Sequence, residues 1–301
     1  MRRPRRAVDG VLLLDKPYGI TSQTAVTRAK AKLGAAKTGH TGTLDPMATG
    51  LLPLAFGEAT KFAQVLLDAD KSYLATVRLG TTTTTGDLEG DVLTLQQVDV
   101  DLPRIEAAVA QFRGDIEQLP PMFSALKHAG RPLYEYARAG TEVVRHARRI
   151  TITELEVEAW TGAEVSLRVS CSKGTYVRVL AEDIGLALGC GATLAALRRT
   201  RVGRFAIDDA VTLQALSEMN EPEMQARLLP VDALLASVPS LQLSANQSQR
   251  MRLGQAVEVA QGLAAGLVRV YGPDANFLGV ADALPEGRLQ PRRLVSEAAK
   301  A

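Results

Sequence analysis

Two cysteines in 301 residues, Cys171 and Cys190, leave no disulfide framework and no zinc-binding spacing. The three histidines, His40, His128 and His146, have no neighbouring cysteine, so no metal site is evident and none is expected. No apolar run approaches the length of a membrane span. The start, Met1-Arg2-Arg3-Pro4-Arg5-Arg6, has the charge of a signal-peptide n-region. However, the apolar run 11–14 is too short for an h-region and meets Asp15-Lys16 directly, so those arginines read as a solvated tail. Net charge is only +2, so any nucleic-acid surface must come from local clustering. What remains is a cytoplasmic protein without a cofactor.

The length allows one large domain and a small one, each with a core. The apolar run 10–15 reads as a buried strand. A helix is expected over 22–33, capped by Ser22 or Thr21 and ended by Gly34. A second helix is expected over 58–67, a third over 103–111 and a fourth from about 175 to 188. Alternating strands are expected over 72–79, 150–157 and 164–171, with Tyr73, Ala75, Val77 and Leu79 on one face of the first. The threonine run 81–85 reads as a loop. Strands and helices interleave without βαβ regularity, which predicts an α+β fold with a mixed, largely antiparallel sheet flanked by helices. Near Ala236-Ser237-Val238-Pro239-Ser240 the texture changes. Short strand-like pieces over 241–243, 256–260, 267–271 and 277–281, separated by glycines, predict a small β-rich domain. The expected division is 1–236 and 237–301.

The chemistry is most legible in Gly39-His40-Thr41-Gly42-Thr43-Leu44-Asp45-Pro46-Met47-Ala48-Thr49-Gly50. Three glycines, three threonines and a proline surround one carboxylate, Asp45. This is a shaped loop that lets backbone approach a ligand, and Pro46 pushes Asp45 towards extended geometry. A second segment, Cys171-Ser172-Lys173-Gly174-Thr175-Tyr176-Val177-Arg178, runs from a strand through a glycine turn into a helix. Thr175 is its candidate N-cap, with Tyr176 and Arg178 in the first turn. The residues between Lys127 and Arg149 form a third feature. Lys127, Arg131, Arg138, Arg145, Arg148 and Arg149 face only Glu135 and Glu142, with His128 and Tyr134 interleaved. Cations with aromatics suit a phosphate backbone and exposed bases. Arg198, Arg199, Arg201 and Arg204 could extend the track.

The string 39–50 closely resembles the catalytic motif of bacterial tRNA pseudouridine-55 synthases of the TruB family. The other motifs, spread over 15–204, resemble that family in order. The resemblance implies a pseudouridine synthase fold with a PUA-like C-terminal RNA-binding domain, acting on uridine 55 in the T stem-loop of tRNA. It implies no cofactor, no guide RNA or protein partner, and a monomer; archaeal and eukaryotic relatives work in guide-RNA complexes.

Asp45 would be the nucleophile. Arg178 would hold it by a bidentate contact that keeps it ionised, and Tyr176 would pack in the substrate pocket. Tyr73, in Lys71-Ser72-Tyr73, would stack on the target base and help remove the C5 proton. Leu197 would line the uracil pocket, and His40 would fill the gap left by flipped nucleotides. Lys16, in Asp15-Lys16-Pro17, would support the catalytic loop and the bound substrate. Lys127 and Arg131 would contact RNA within an insertion over about 120–150 that grips the tRNA elbow.

Three routes are open to Asp45: attack on C1′, addition to C6, or abstraction of a sugar proton to give a glycal. One departure stands out. Thr83-Thr84-Thr85 occupies the place where a Thr-Asp-Thr triplet is expected before Asp87, and that loop reads as peripheral to the chemistry. Two other classes fit fewer residues. A purely RNA-binding protein would not need Asp45, Tyr73 and Arg178 together. An aspartate phosphotransferase normally needs a second carboxylate for Mg²⁺, which Asp45-Pro46-Met47-Ala48-Thr49 does not offer.

Overall fold

A computed structural model describes residues 6–259, 263–285 and 287–296. The arginines before Arg6 and the last residue of the expected strand 256–260 lie outside the described residues. The main sheet is built from β1 (Gly10–Lys16), β2 (Thr38–His40), β3 (Thr49–Phe56), β4 (Lys71–Leu79), β5 (Gly114–Gln118), β6 (Arg148–Thr161), β7 (Glu164–Cys171), β8 (Ala192–Val202), β9 (Phe205–Ala206) and β10 (Val211–Thr212). Across it the order is β10-β1-β3-β8-β4-β7-β6-β5, with β2 on β3 and β9 on β8. Within this sheet only β1–β10 and β3–β8 pair in parallel among the described residues. The sheet is therefore mixed and largely antiparallel.

The unbroken apolar run of β1 has a simple cause. Leu12 and Leu14 enter one core, whereas Val11 and Leu13 enter a second core on the other face. A strand buried on both faces needs no alternation. By contrast β4 alternates, with Tyr73, Ala75, Val77 and Leu79 buried and Leu74 exposed.

Helix α1 (Ser22–Leu33) ends where its caps place it. Thr21 Oγ1 accepts the Thr24 N–H at 3.0 Å, and Gly34 takes the left-handed conformation at φ 63°. Helix α2 (Leu102–Ala110) is capped by Asp101. Helix α3 (Val177–Leu188) begins later than its sequence suggests. Thr175 is not its cap, because its hydroxyl donates to the Ser172 carbonyl. Instead Tyr176 holds the N-cap position, and the distant Gln118 side chain bonds both its N–H and its C=O, at 2.7 and 3.1 Å.

The segment 58–67 also differs from expectation. A 3₁₀ turn, Gly57–Phe62, precedes a short α-helix, Ala63–Leu67. Tertiary ties hold the tighter coil: Asp9 takes the Glu58 N–H, and Lys61 reaches the Leu294 carbonyl. The threonine run is not all loop. Thr81–Thr83 pairs with Val92–Leu95, as β-branched residues favour.

A second, five-stranded sheet follows: β11 (Ser240–Gln242), β12 (Val257–Glu258), β13 (Gly266–Tyr271), β14 (Phe277–Leu284) and β15 (Arg288–Leu294), in the order β11-β13-β14-β15-β12. Its own core includes Leu243, Met251, Val268 and Val270. Val280 and Phe277 instead pack on Phe62 and Leu66 of the main body, with the two phenyl rings 5.4 Å apart.

Gly50 opens β3 where that strand meets β8. Its φ is 102°, and a Cβ there would stand 2.3 Å from the Arg199 carbonyl oxygen. Gly50→Ala is expected to destabilise the fold by ~2 kcal/mol or more, read as a lower urea midpoint with an unchanged slope.

Candidate active site

The loop that follows β2 turns back into β3 and leaves Asp45 at its tip. Buried cations hold this loop in place. Lys16 has no exposed surface, and its ammonium donates to the carbonyls of Ile20 at 2.7 Å, Pro17 at 2.9 Å and Pro46 at 3.3 Å. Burial lowers its pKa to about 8, against the raising pull of Asp45. Lys16 thus lies behind the loop, outside the cavity that Asp45 faces. Arg199 is also buried. Its guanidinium donates to Leu51 O at 2.7 Å, Gly42 O at 3.1 Å and Thr43 O at 3.4 Å. It therefore cannot belong to an exposed basic track. Its neighbour Arg198 is bound to Asp15, leaving Arg201 and Arg204 as the exposed arginines of that group.

The Asp45 carboxylate opens into a cavity of about 350 Å³ lined by Tyr73, Ser124, Leu126, Tyr176, Arg178 and Leu197, among others. Arg178 reaches it from the second residue of α3. Its Nε lies 3.1 Å from Asp45 Oδ2 and 3.7 Å from Asp87 Oδ2. Its other two nitrogens are committed elsewhere: Nη1 donates to Thr85 O at 2.9 Å and Nη2 to Phe123 O at 2.7 Å. The contact with Asp45 is consequently single-ended, not the expected bidentate fork.

Asp87 is almost fully buried. Its Oδ1 accepts from the Thr85 hydroxyl at 2.5 Å and the Glu89 N–H at 3.1 Å. The loop that reads as peripheral in sequence thus supplies a carboxylate and a carbonyl to the arginine beside Asp45. Nothing in the local pattern marks Asp87. The glycines around it are the one available signal.

The electrostatics of Asp45 also depart from the expected ionised carboxylate. Its side chain is open to the cavity, but the cavity is deep. Loss of water there raises its pKa, Arg178 opposes the rise, Asp87 adds to it, and Lys16 opposes it. The sum is a carboxylate that holds its proton to a higher pH than an ordinary aspartate. Tyr73 is buried in the cavity wall, and burial raises its phenol above the usual range. Tyr176 is shifted in the same direction for the same reason. Lys71 lines the cavity floor; it donates to Leu67 O and Ala69 O, and burial lowers it to about 8.

His40 sits at the end of β2, half-buried, with its Nδ1 accepting the Gly42 N–H at 3.3 Å. Burial, then the Arg199 charge, lowers its pKa. Lys127 and Arg131 are exposed on the short pairing Lys127–His128 with Arg131–Pro132, away from the cavity. There Arg131 stacks over Tyr136 at 5.0 Å, and Arg138 over Tyr134 at 5.4 Å. The structure thus gathers Asp45, Tyr73, Tyr176, Leu197 and Arg178 around one cavity. It leaves Lys16, His40, Lys127 and Arg131 outside its wall.

A carboxylate beside an arginine, walled by two tyrosines and a leucine, can hold a flat ring against a nucleophile or base. Comparison with known proteins gives this arrangement a family context. The family model for the TruB family pseudouridylate synthase N-terminal domain matches residues 30–177. The tRNA pseudouridylate synthase B C-terminal domain matches 178–236, and the pseudouridine synthase II TruB C-terminal model matches 239–295. A protein named tRNA pseudouridine synthase B from Burkholderia mallei is 56% identical over 98% of this chain and 96% of its own length. One of the same name from Aromatoleum aromaticum is 55% identical over 100% of this chain and 97% of its own length. Among solved structures, a chain in a Cbf5-Nop10-Gar1 complex is similar with a TM-score of 0.75 and 28% identity, covering 95% of this chain and 84% of that one. A chain in an H/ACA RNP bound to a substrate RNA containing 2′-deoxyuridine gives 0.74 and 26%, covering 95% and 85%.

Proposed function

This chain belongs to the TruB family of pseudouridylate synthases, and we propose that it isomerises uridine 55 in the T stem-loop of tRNA with Asp45 as nucleophile. The observation that carries the proposal is Asp45 open to a cavity walled by Tyr73, Tyr176 and Leu197, with Arg178 at 3.1 Å. A base inside folded RNA is out of reach, so the uridine is flipped into this cavity. Tyr73 stacks on it, and Tyr176 and Leu197 close the walls so that the uracil stays in place once the N1–C1′ bond breaks. Asp45 then acts at the sugar or at C6, and the base rejoins through C5, where the lost proton appears as a measurable product.

In this reading Lys16 and Arg199 serve the loop, not the substrate. Exposed Lys127 and Arg131 meet the RNA backbone, and His40, near the mouth, fills the stack that the flipped base leaves. Residues 1–236 form the catalytic domain and 237–301 a PUA-like RNA-binding domain. The enzyme works on tRNA as a stand-alone monomer in the cytoplasm, without a guide RNA. Among the described residues no helix is long and apolar enough to cross a membrane.

The test uses tRNA carrying tritium at uridine C5. Release is expected from tRNA with uridine 55 and absent when position 55 is cytidine. Equal release from both would assign the reaction to another uridine.

A further inference from the structure

The cavity wall contains a buried polar group that has no partner and that the chemistry above does not use. Ser124 is 5% exposed, lines the cavity, and its Oγ has no hydrogen-bond partner among the described residues. It stands beside the Tyr176 phenol, but without the geometry of a hydrogen bond. Backbone contacts fix the position of its Cα beside the cavity. The Ser124 N–H donates to Met122 O at 2.9 Å, and its carbonyl accepts the Tyr134 N–H at 3.1 Å. The preceding carbonyl, of Phe123, is held by Arg178. A buried hydroxyl without a partner costs free energy, and such a group facing a ligand cavity gains its partner from the ligand.

We propose that Ser124 is a positioning residue whose hydroxyl donates a hydrogen bond to a carbonyl oxygen of the uracil before and after its reorientation. This rests on the reading of the cavity as the site of the flipped uridine. The chemistry of the ring explains why one donor suffices. Turning uracil about its N3–C6 axis brings C5 to the place of N1, and it exchanges O2 with O4. A donor that meets one carbonyl before the turn therefore meets the other after it. A hydroxyl also rotates freely about its C–O bond, so it can follow small displacements between the two poses. Ser124 would thus hold the ring in both bound poses, while Asp45 and the sugar exchange partners on the opposite edge.

The test is single-turnover tritium release by Ser124→Ala and Ser124→Thr beside wild type, with tRNA affinity measured separately by filter binding. Ser124→Ala is expected to slow release by about three- to tenfold, the value of one neutral hydrogen bond. Its tRNA Kd should stay within about twofold, and Ser124→Thr should recover most of the rate by restoring the donor. An alanine variant at the wild-type rate would overturn the proposal. So would alanine and threonine variants equally slow and equally weak for tRNA, which would reduce Ser124 to packing at the base of the insertion. Absence of release by the wild-type enzyme would instead remove the functional reading itself, and the proposal with it.

Discussion

Asp45→Asn is expected to abolish tritium release, by on the order of 10⁴-fold or more, while tRNA binding stays within about twofold of wild type. The size follows from losing the one carboxylate among the described residues that line the cavity. Affinity is spared because most contacts in such complexes go to phosphates, far from this carboxylate. The same variant has a second, less obvious signature. Burial lifts the folded-state pKa of Asp45 above its ordinary value. A carboxylate shifted upward weakens the fold once it ionises. That cost is complete above the folded pKa and gone below the unfolded one. Asn does not ionise, so at neutral pH Asp45→Asn is expected to melt no lower than wild type, with the difference closing as pH falls. A variant that lost both activity and several degrees of Tm would show instead that Asp45 is a structural residue.

Arg178→Lys is the second large effect, although charge is kept. The guanidinium spans Asp45, Asp87, Thr85 O and Phe123 O from one buried position. An ammonium on a shorter, flexible stem cannot serve all four, and it leaves buried carbonyls or a carboxylate poorly paired. A rate loss of about 10²–10³ and a stability loss of about 2–4 kcal/mol are expected. The pH profile tells positioning from packing. Arg178 is the strongest influence holding the Asp45 pKa down. Weakening it raises that pKa further, so the acid limb of the rate, already above the ordinary aspartate range, moves to still higher pH. A profile that fell uniformly, with its limb in place, would reduce Arg178 to a scaffold.

How much of this is visible in the chain follows from the range of each interaction. The boundaries of α1 are legible because Thr21 and Gly34 act within one turn of the helix they delimit. Asp45, Tyr73, Tyr176 and Arg178 are legible because each sits in a short string whose glycines and proline fix a loop or a turn. The start of α3 is misread because its backbone partner is Gln118, 58 residues earlier. Asp87 is missed for the same reason, since its meeting with Arg178 depends on a loop and a helix brought together by the sheet. Arg199 misleads in a different way. Cations are rarely buried, so the sequence reading puts it on an exposed basic track. Here backbone carbonyls bind it in the interior, and no local pattern announces that.

That burial has a consequence for ionic strength. Mobile salt ions screen charges that touch water, and screen buried ones far less. Lys16, Arg178 and Arg199, which shape the Asp45 loop, lie below the reach of that atmosphere, whereas Lys127, Arg131 and Arg138 stand within it. On the proposed reading, added salt is therefore expected to displace RNA from the outer cations and to leave the inner ones undisturbed. On that reading, capture and turnover answer to two separate sets of charges, and only the first responds to the medium.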